Sequence, residues 1–175
     1  MLNMTFTSFP ILTTERLTLR QLSESDKQDI FALRSDIHIN KYLDRQPSKS
    51  LEDATNFINK VNDNIKNSTS LYWAITITGN KNIVGTICLF DFSAEDDKCE
   101  IGYELLTNYQ GRGIMKEAAE KIIGYAVKTI GLKIFEAFTH KDNQSSTRLL
   151  NKLGFKKSAN HDQTNKDLFV FRLAV

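Results

Sequence analysis

Residues 99–116 read Cys99-Glu100-Ile101-Gly102-Tyr103-Glu104-Leu105-Leu106-Thr107-Asn108-Tyr109-Gln110-Gly111-Arg112-Gly113-Ile114-Met115-Lys116. The apolar run over 99–106 predicts a strand, and residues 110–113 a tight turn. The region 114–130 predicts a helix, because Ile114, Ala118, Ile122, Ala126 and Ile130 fall on one i+4 row. Two glycines where a strand becomes a helix free the backbone from Cβ clashes, so several N–H groups can converge. They converge at a helix N-terminus, where the first amides lack intrahelical acceptors and the macrodipole is positive. Such a place suits phosphate, although the same turn also serves plain chain reversal. It lacks the third glycine of the dinucleotide fingerprint and the Gly-Lys-Ser/Thr of a nucleotide P-loop. A phosphate ligand held here therefore belongs to neither of those classes.

On the N-terminal side, residues 1–14 read as an arm, with Pro10 excluding regular helix. Leu17, Leu19 and Leu22 mark a half-buried strand, and Ser23 or Ser25 caps a short helix to about residue 35. Residues 37–49 are expected to be a loop. Ser50 then caps a helix with Asp53 at the capping-box position and a stripe of Leu51, Ala54, Phe57, Ile58, Val61 and Ile65. Residues 71–78 and 83–92 form a hairpin about Gly79-Asn80, with Gly85 a candidate bulge. Beyond the central helix come a strand at 133–139, parallel to 99–106 because a helix separates them, and a short helix at 143–153. Strands at 155–158 and 168–173 follow, joined by a polar loop over 160–167. The expected fold is α/β (α+β): a mixed, mostly antiparallel seven-stranded sheet with helices on both faces.

The 175 residues and net charge of +2 fit one domain, 1–175, with an ordinary soluble composition. Near-neutrality argues against a nucleic-acid binder working through an overall basic field. Cys88 and Cys99 lie in apolar runs without metal-ligand spacing, which predicts buried free thiols in a reducing compartment. No run resembles a signal peptide or reaches membrane-spanning length, so the expected location is cytoplasmic, with no membrane partner.

Residues Gln110-Gly111-Arg112-Gly113-Ile114-Met115 resemble the Gln/Arg-x-x-Gly-x-Gly/Ala motif of the GNAT superfamily of acetyltransferases. Met115 stands where the strict motif has Gly or Ala, as it often does in the RimJ/RimL-like branch. Three further stretches are similar to that branch: Thr14-Glu15-Arg16-Leu17-Thr18-Leu19-Arg20, Glu100-Ile101-Gly102-Tyr103, and Asn143-Gln144-Ser145-Ser146 with Leu153-Gly154-Phe155. The resemblance implies a splay between the fourth and fifth strands that receives the pantetheine arm of acetyl-CoA. It implies that Glu104 and Leu105 hold the pantetheine and acetyl carbonyl through their main chain. Gln110, Gly111, Arg112, Gly113, Ile114, Met115 and Lys116 would form the pyrophosphate cradle. Asn143 would bond the pantetheine and Ser146 would face the sulfur, although both also suit capping of the helix they open. His38 and Tyr42 would form a wall of the acceptor site, or simply pin their loop to the core.

Catalytic groups are sparser. Leu150 stands where many relatives carry an acidic Tyr, and Phe138 where some carry a carboxylate base. Glu100 and Glu104, of equal parity on one strand, are candidates for taking the amine proton, and Ser146 for donating to the departing thiolate. The same glutamates also suit a solvated sheet face. A thiol leaves readily, with a pKa near 8.5. Deprotonating an α-amine of pKa about 8 at pH 7 costs roughly 1.4 kcal/mol, against nearly 5 for a lysine. The expectation is an acetyl-CoA-dependent N-acetyltransferase, with acetyl-CoA as co-substrate and no metal. Its acceptor is a primary amine, leaning to a protein N-terminus or else a small molecule. The alternative is a catalytically degenerate acyl-CoA-binding module. Exposed edge strands near the C-terminus are compatible with a homodimer.

Overall fold

The computed structural model describes residues 8–161 and 165–175. Eight strands form one sheet: β1 (Leu12–Thr13), β2 (Leu17–Arg20), β3 (Ser70–Ile77), β4 (Ile83–Ser93), β5 (Lys98–Leu105), β6 (Ile134–His140), β7 (Lys156–His161) and β8 (Leu168–Ala174). Their spatial order is β1-β2-β3-β4-β5-β6-β8-β7. Every neighbouring pair is antiparallel except β5 and β6, which run parallel as the helix between them requires.

The extra strand, β1, comes from the expected arm, where Leu12 pairs with Leu19 and Thr13 with Thr18. A long-range contact places it. The buried Trp73 donates from Nε1 to the Pro10 carbonyl at 2.9 Å, and Phe9 packs on the indole with centroids 5.5 Å apart. Residues 1–7 of that arm and 162–164 of the expected loop lie outside the described residues. Residues 160 and 161, expected in the loop, extend β7 instead.

Helices α1 (Lys27–Ser35) and α3 (Leu51–Lys66) cover one face through Ile30, Ala54, Ile58 and Val61, packed with Ala74 and Ile83 of the sheet. The capping box of α3 is present: Ser50 Oγ accepts from the Asp53 amide and Asp53 Oδ2 from the Ser50 amide, both at 3.1 Å. Leu51, expected at the head of the buried stripe, is instead 41% exposed. Residues 37–40, expected as loop, form the one-turn helix α2 (Ile37–Asn40), because the Asp36 carboxylate accepts from the His38 and Ile39 amides.

The other face carries α4 (Ile114–Tyr125) and α5 (Gln144–Lys152). Ile114, Ala118, Ile122, Ala126 and Ile130 are all buried in the larger core cluster with Trp73, Phe135 and Phe171. The α-helix ends at Tyr125, earlier than the periodicity predicts, and Ala126–Ile130 widen into a π-turn. There the Gly131 and Leu132 amides both reach the Ala126 carbonyl, at 3.0 and 3.2 Å. The i+4 row stays buried through this change. Cys88 and Cys99 are free thiols, and burial pushes Cys88 up to about 12, with Glu104 adding to the shift.

Candidate active site

The sheet opens between β5 and β6. They pair only at Lys98↔Ile134, Cys99↔Phe135 and Glu100↔Glu136. Beyond that point β5 stays with β4 as far as Gly85↔Leu105, while β6 follows β8 to His140↔Leu168. The expected splay is therefore real, and a cavity of about 400 Å³ lies at it.

The ladder decides which backbone groups face this opening. The Leu106 amide bonds the Val84 carbonyl at 2.9 Å, and neighbouring residues of an antiparallel strand alternate in the direction of their N–H and C=O. Glu104 consequently turns its main chain to β4, while Tyr103 and Leu105 turn theirs to the gap. Gly85 confirms the direction. A Cβ there would stand 2.5 Å from the Glu104 carbonyl oxygen, so only glycine admits this close approach. The main chain facing the gap is therefore that of Tyr103 and Leu105, whereas Glu104, expected beside Leu105, faces β4. Parity alone could not show this, because the register is set by a strand nearly twenty residues away.

At the end of β5 the chain makes a turn of 3₁₀-helix (Thr107–Tyr109) and enters α4 through Gly111 (φ 74°) and Gly113 (φ 76°), both left-handed. The amides of Ile114, Met115 and Lys116 open the helix without intrahelical acceptors. A Cβ on Gly111 would meet nothing within 4 Å, and Gly111, Gly113, Ile114, Met115 and Lys116 line the cavity, so the turn is open on that side. These features fit a phosphate group. Gln110 is committed elsewhere: its Nε2 donates to the Leu105 carbonyl at 2.9 Å and ties the turn to the strand end. The Arg112 guanidinium lies over the Tyr109 ring, and Lys116 pairs with Glu120.

A clamp missing from the sequence-based expectations holds this turn. Arg16 donates from Nε to Glu117 Oε2 at 2.7 Å and from Nη1 to the Arg112 carbonyl at 3.1 Å. Thr14 Oγ1 and the Arg16 amide donate to the other Glu117 oxygen. Burial disfavours the Glu117 carboxylate, but these bonds outweigh it and hold its pKa below the ordinary range. The segment around Arg16 carried the signal, without its partner.

Across the gap, Asn143 caps α5, its Oδ1 accepting from the Ser146 amide at 3.2 Å. Both residues line the cavity, and the cap leaves them at its edge. Ser146 Oγ lies 2.8 Å from Tyr103 Oη, which closes a contact across the opening. Leu150 is fully buried and Phe138 is 38% exposed, so neither position supplies an ionisable group.

The two glutamates part company. Glu104 lines the cavity, but its side chain is 8% exposed and pairs with Arg45 at 2.6 Å, with Thr86 donating to the other oxygen at 3.4 Å. Arg45 in turn donates to Asn40 Oδ1 at 2.7 Å, which locks the segment after α2 to β5. Glu100 lies roughly 13 Å further down β5, where the sheet is still closed, and is not among the residues lining the cavity. Partial burial, then repulsion from Asp91 and a hydrogen bond shared with it, push Glu100 up to about 7. The structure therefore does not bring Glu100, expected as a candidate base, to the cavity. Neither glutamate sits on a freely solvated face. His38, Ile39, Tyr42 and Leu43 also line the cavity, and Tyr42 stacks on His140 at 5.3 Å, joining the α2 loop to the end of β6.

The family described as Acetyltransferase (GNAT) domain matches residues 16–156. YoaA, an uncharacterized N-acetyltransferase of Bacillus subtilis (strain 168), is 32% identical over 85% of this chain and 84% of its own. The chain belongs to the GNAT acetyltransferase family. It is thus an acetyl-CoA-dependent N-acetyltransferase by family. The same fold occurs in a ribosomal-protein alanine acetyltransferase from Vibrio fischeri (TM-score 0.80, 21% identity, covering 94% of this chain and 96% of that one). It also occurs in RimL, a ribosomal alpha-N-protein acetyltransferase solved with coenzyme A (TM-score 0.81, 19% identity, 94% and 97% covered). Among the described residues of this GNAT acetyltransferase, no group of three or more His, Cys, Asp or Glu side chains is placed to hold a metal ion. No helix among them is long and apolar enough to cross a membrane.

Proposed function

We propose that this chain acetylates an α-amino group, with a protein N-terminus as acceptor, and that residues 1–175 act as one catalytic unit of the RimJ/RimL-like kind. The single observation that carries the acceptor class is the state of Glu104. Among the described residues it is the carboxylate that lines the cavity, and Arg45 already holds it at 2.6 Å. With Thr86 donating to its other oxygen, a carboxylate so engaged offers little free acceptor capacity to an amine proton. It suits an amine that costs roughly 1.4 kcal/mol to deprotonate at pH 7 better than a lysine costing nearly 5.

The residues divide the work as follows. The open amides of Ile114, Met115 and Lys116 hold the pyrophosphate of acetyl-CoA, and Asn143 the pantetheine. The Leu105 N–H, directed into the gap, donates to the thioester carbonyl oxygen as charge develops there. The amine nitrogen forms the new bond to the acetyl carbon and the carbon–sulfur bond breaks. The electron pair leaves with sulfur, and the amine proton passes through water at Glu104 to solvent. Ser146 donates a hydrogen bond to the leaving sulfur. Holding both reactants in one cleft supplies much of the rate by positioning.

The test is thiol release from acetyl-CoA with three acceptors: peptides with a free N-terminus, the same peptides with a blocked N-terminus and an internal lysine, and polyamines. Free N-terminal peptides are expected to give the highest kcat/KM. A higher kcat/KM with blocked lysine peptides or polyamines overturns the α-amine reading.

A further inference from the structure

The Tyr103 phenol takes no part in the chemistry proposed above. Tyr103 sits on β5 at the mouth of the gap, with Oη 2.8 Å from Ser146 Oγ on the first turn of α5, and both residues line the cavity. Burial pushes its phenol up to about 12, and the Ser146 contact pulls against that shift. A thiol titrates near 8.5, so the phenol does not pass its proton to a departing thiolate. It stays protonated, and its O–H serves only as a hydrogen-bond donor. Its hydrogen-bond partner among the described residues is Ser146. A phenol is a stronger hydrogen-bond donor than an aliphatic hydroxyl, and the aliphatic oxygen is the better acceptor. The favoured direction is therefore Tyr103 O–H donating to Ser146 Oγ.

We infer that Tyr103 is a positioning residue that turns the Ser146 proton into the gap. The inference rests on the acetyl-CoA reading and extends it by naming what orients the sulfur-facing donor. With its oxygen occupied by Tyr103, the Ser146 hydroxyl is left with its hydrogen to give. Its amide is already taken by Asn143 Oδ1, which fixes the turn on which the hydroxyl stands. Donors arranged in series polarise one another, so Tyr103 also strengthens the bond that Ser146 makes. The chain from Tyr103 through Ser146 does, by hydrogen bonding to the thiolate, what a proton donor at the Leu150 position would do by transfer. That position is closed, because Leu150 is fully buried in the core.

The test needs no acceptor. Coenzyme A is bound to the full chain and its thiol is titrated through the ultraviolet band of the thiolate, in the native protein and in Tyr103→Phe, Ser146→Ala and the double variant. The bound thiol is expected to ionise about one pH unit below its free value in the native protein, the size of one charge-assisted hydrogen bond. It should return to about the free value in each single variant, and the double variant should add nothing further. Tyr103→Phe keeps the ring and its packing, and Ser146→Ala reads the same bond from the other end, with thermal melting as a check of folding. Coenzyme A affinity below pH 7, where the thiol is neutral, should stay within about twofold across the set, and with an active acceptor kcat should fall about tenfold in Tyr103→Phe at unchanged KM. A native-like thiol titration in Tyr103→Phe, or shifts from the two variants that add, overturns the inference. Failure of the native protein to bind coenzyme A at all would instead remove the acetyl-CoA reading beneath it.

Discussion

Replacing Arg16 by Met tests whether the phosphate-binding turn is held from outside. The guanidinium makes two kinds of contact: an ion pair to Glu117 at 2.7 Å, between side chains 47% and 22% exposed, and a 3.1 Å hydrogen bond to the Arg112 carbonyl. At that exposure the pair is worth about 1 kcal/mol, and the bond to the carbonyl about 1 kcal/mol more. The variant should therefore lose about 2 kcal/mol of stability, a fall in Tm of roughly 4–8 °C for a chain of this size. The second consequence is specific to function. Releasing the Arg112 peptide returns about one residue of backbone freedom, roughly 1–2 kcal/mol, which ligand binding must then overcome. Coenzyme A should bind roughly 5–30-fold more weakly by calorimetry. Glu117→Gln, which keeps the size and removes the charge, should move both quantities the same way. A lowered Tm with coenzyme A affinity within twofold would refute the reasoning: Arg16 would then only fasten β2 to α4, and the turn would hold its shape unaided.

Other perturbations separate the two glutamates. Glu100, raised from 4.5 to about 7, binds a proton in the folded chain that the unfolded chain has released, so stability drains as pH rises between those values. Glu100→Gln should then raise stability at about pH 8 by roughly 1 kcal/mol, after discounting for its partial exposure, and change little at about pH 4. Equal effects at both pH values in denaturant titrations would contradict this, and activity should survive the change. Arg45→Met strands the nearly buried Glu104 carboxylate and should cost about 3 kcal/mol. The Arg45→Met, Glu104→Gln double variant should recover part of that loss, and strictly additive melting shifts would show that the pair is not coupled.

Much of the fold could be read from local pattern. The row from Ile114 to Ile130, the Ser50–Asp53 box and the Gly79 hairpin each rest on neighbours in sequence, and each stands as expected except for the π-turn after Tyr125. The features that escaped depend on partners far along the chain. Strand β1 needs Leu19 and Trp73, and the raised Glu100 needs Asp91 and Glu136 from two other strands. Helix α2 is four residues long, too short for periodicity to register, although Asp36 stood at its cap. The site divided in the same way. The cradle and the Asn143–Ser146 turn are contiguous motifs, whereas the choice of Tyr103 and Leu105 over Glu104 follows from the Gly85↔Leu105 register.

Residue-resolved amide hydrogen exchange with and without acetyl-CoA addresses the central claim directly, because it reads the very N–H groups said to receive the ligand. Slowed exchange is expected at Tyr103, Leu105, Ile114, Met115 and Lys116, with no change at Glu104, whose main chain faces β4. Protection at Glu104 in place of its neighbours, or no protection at the opening of α4, would contradict it.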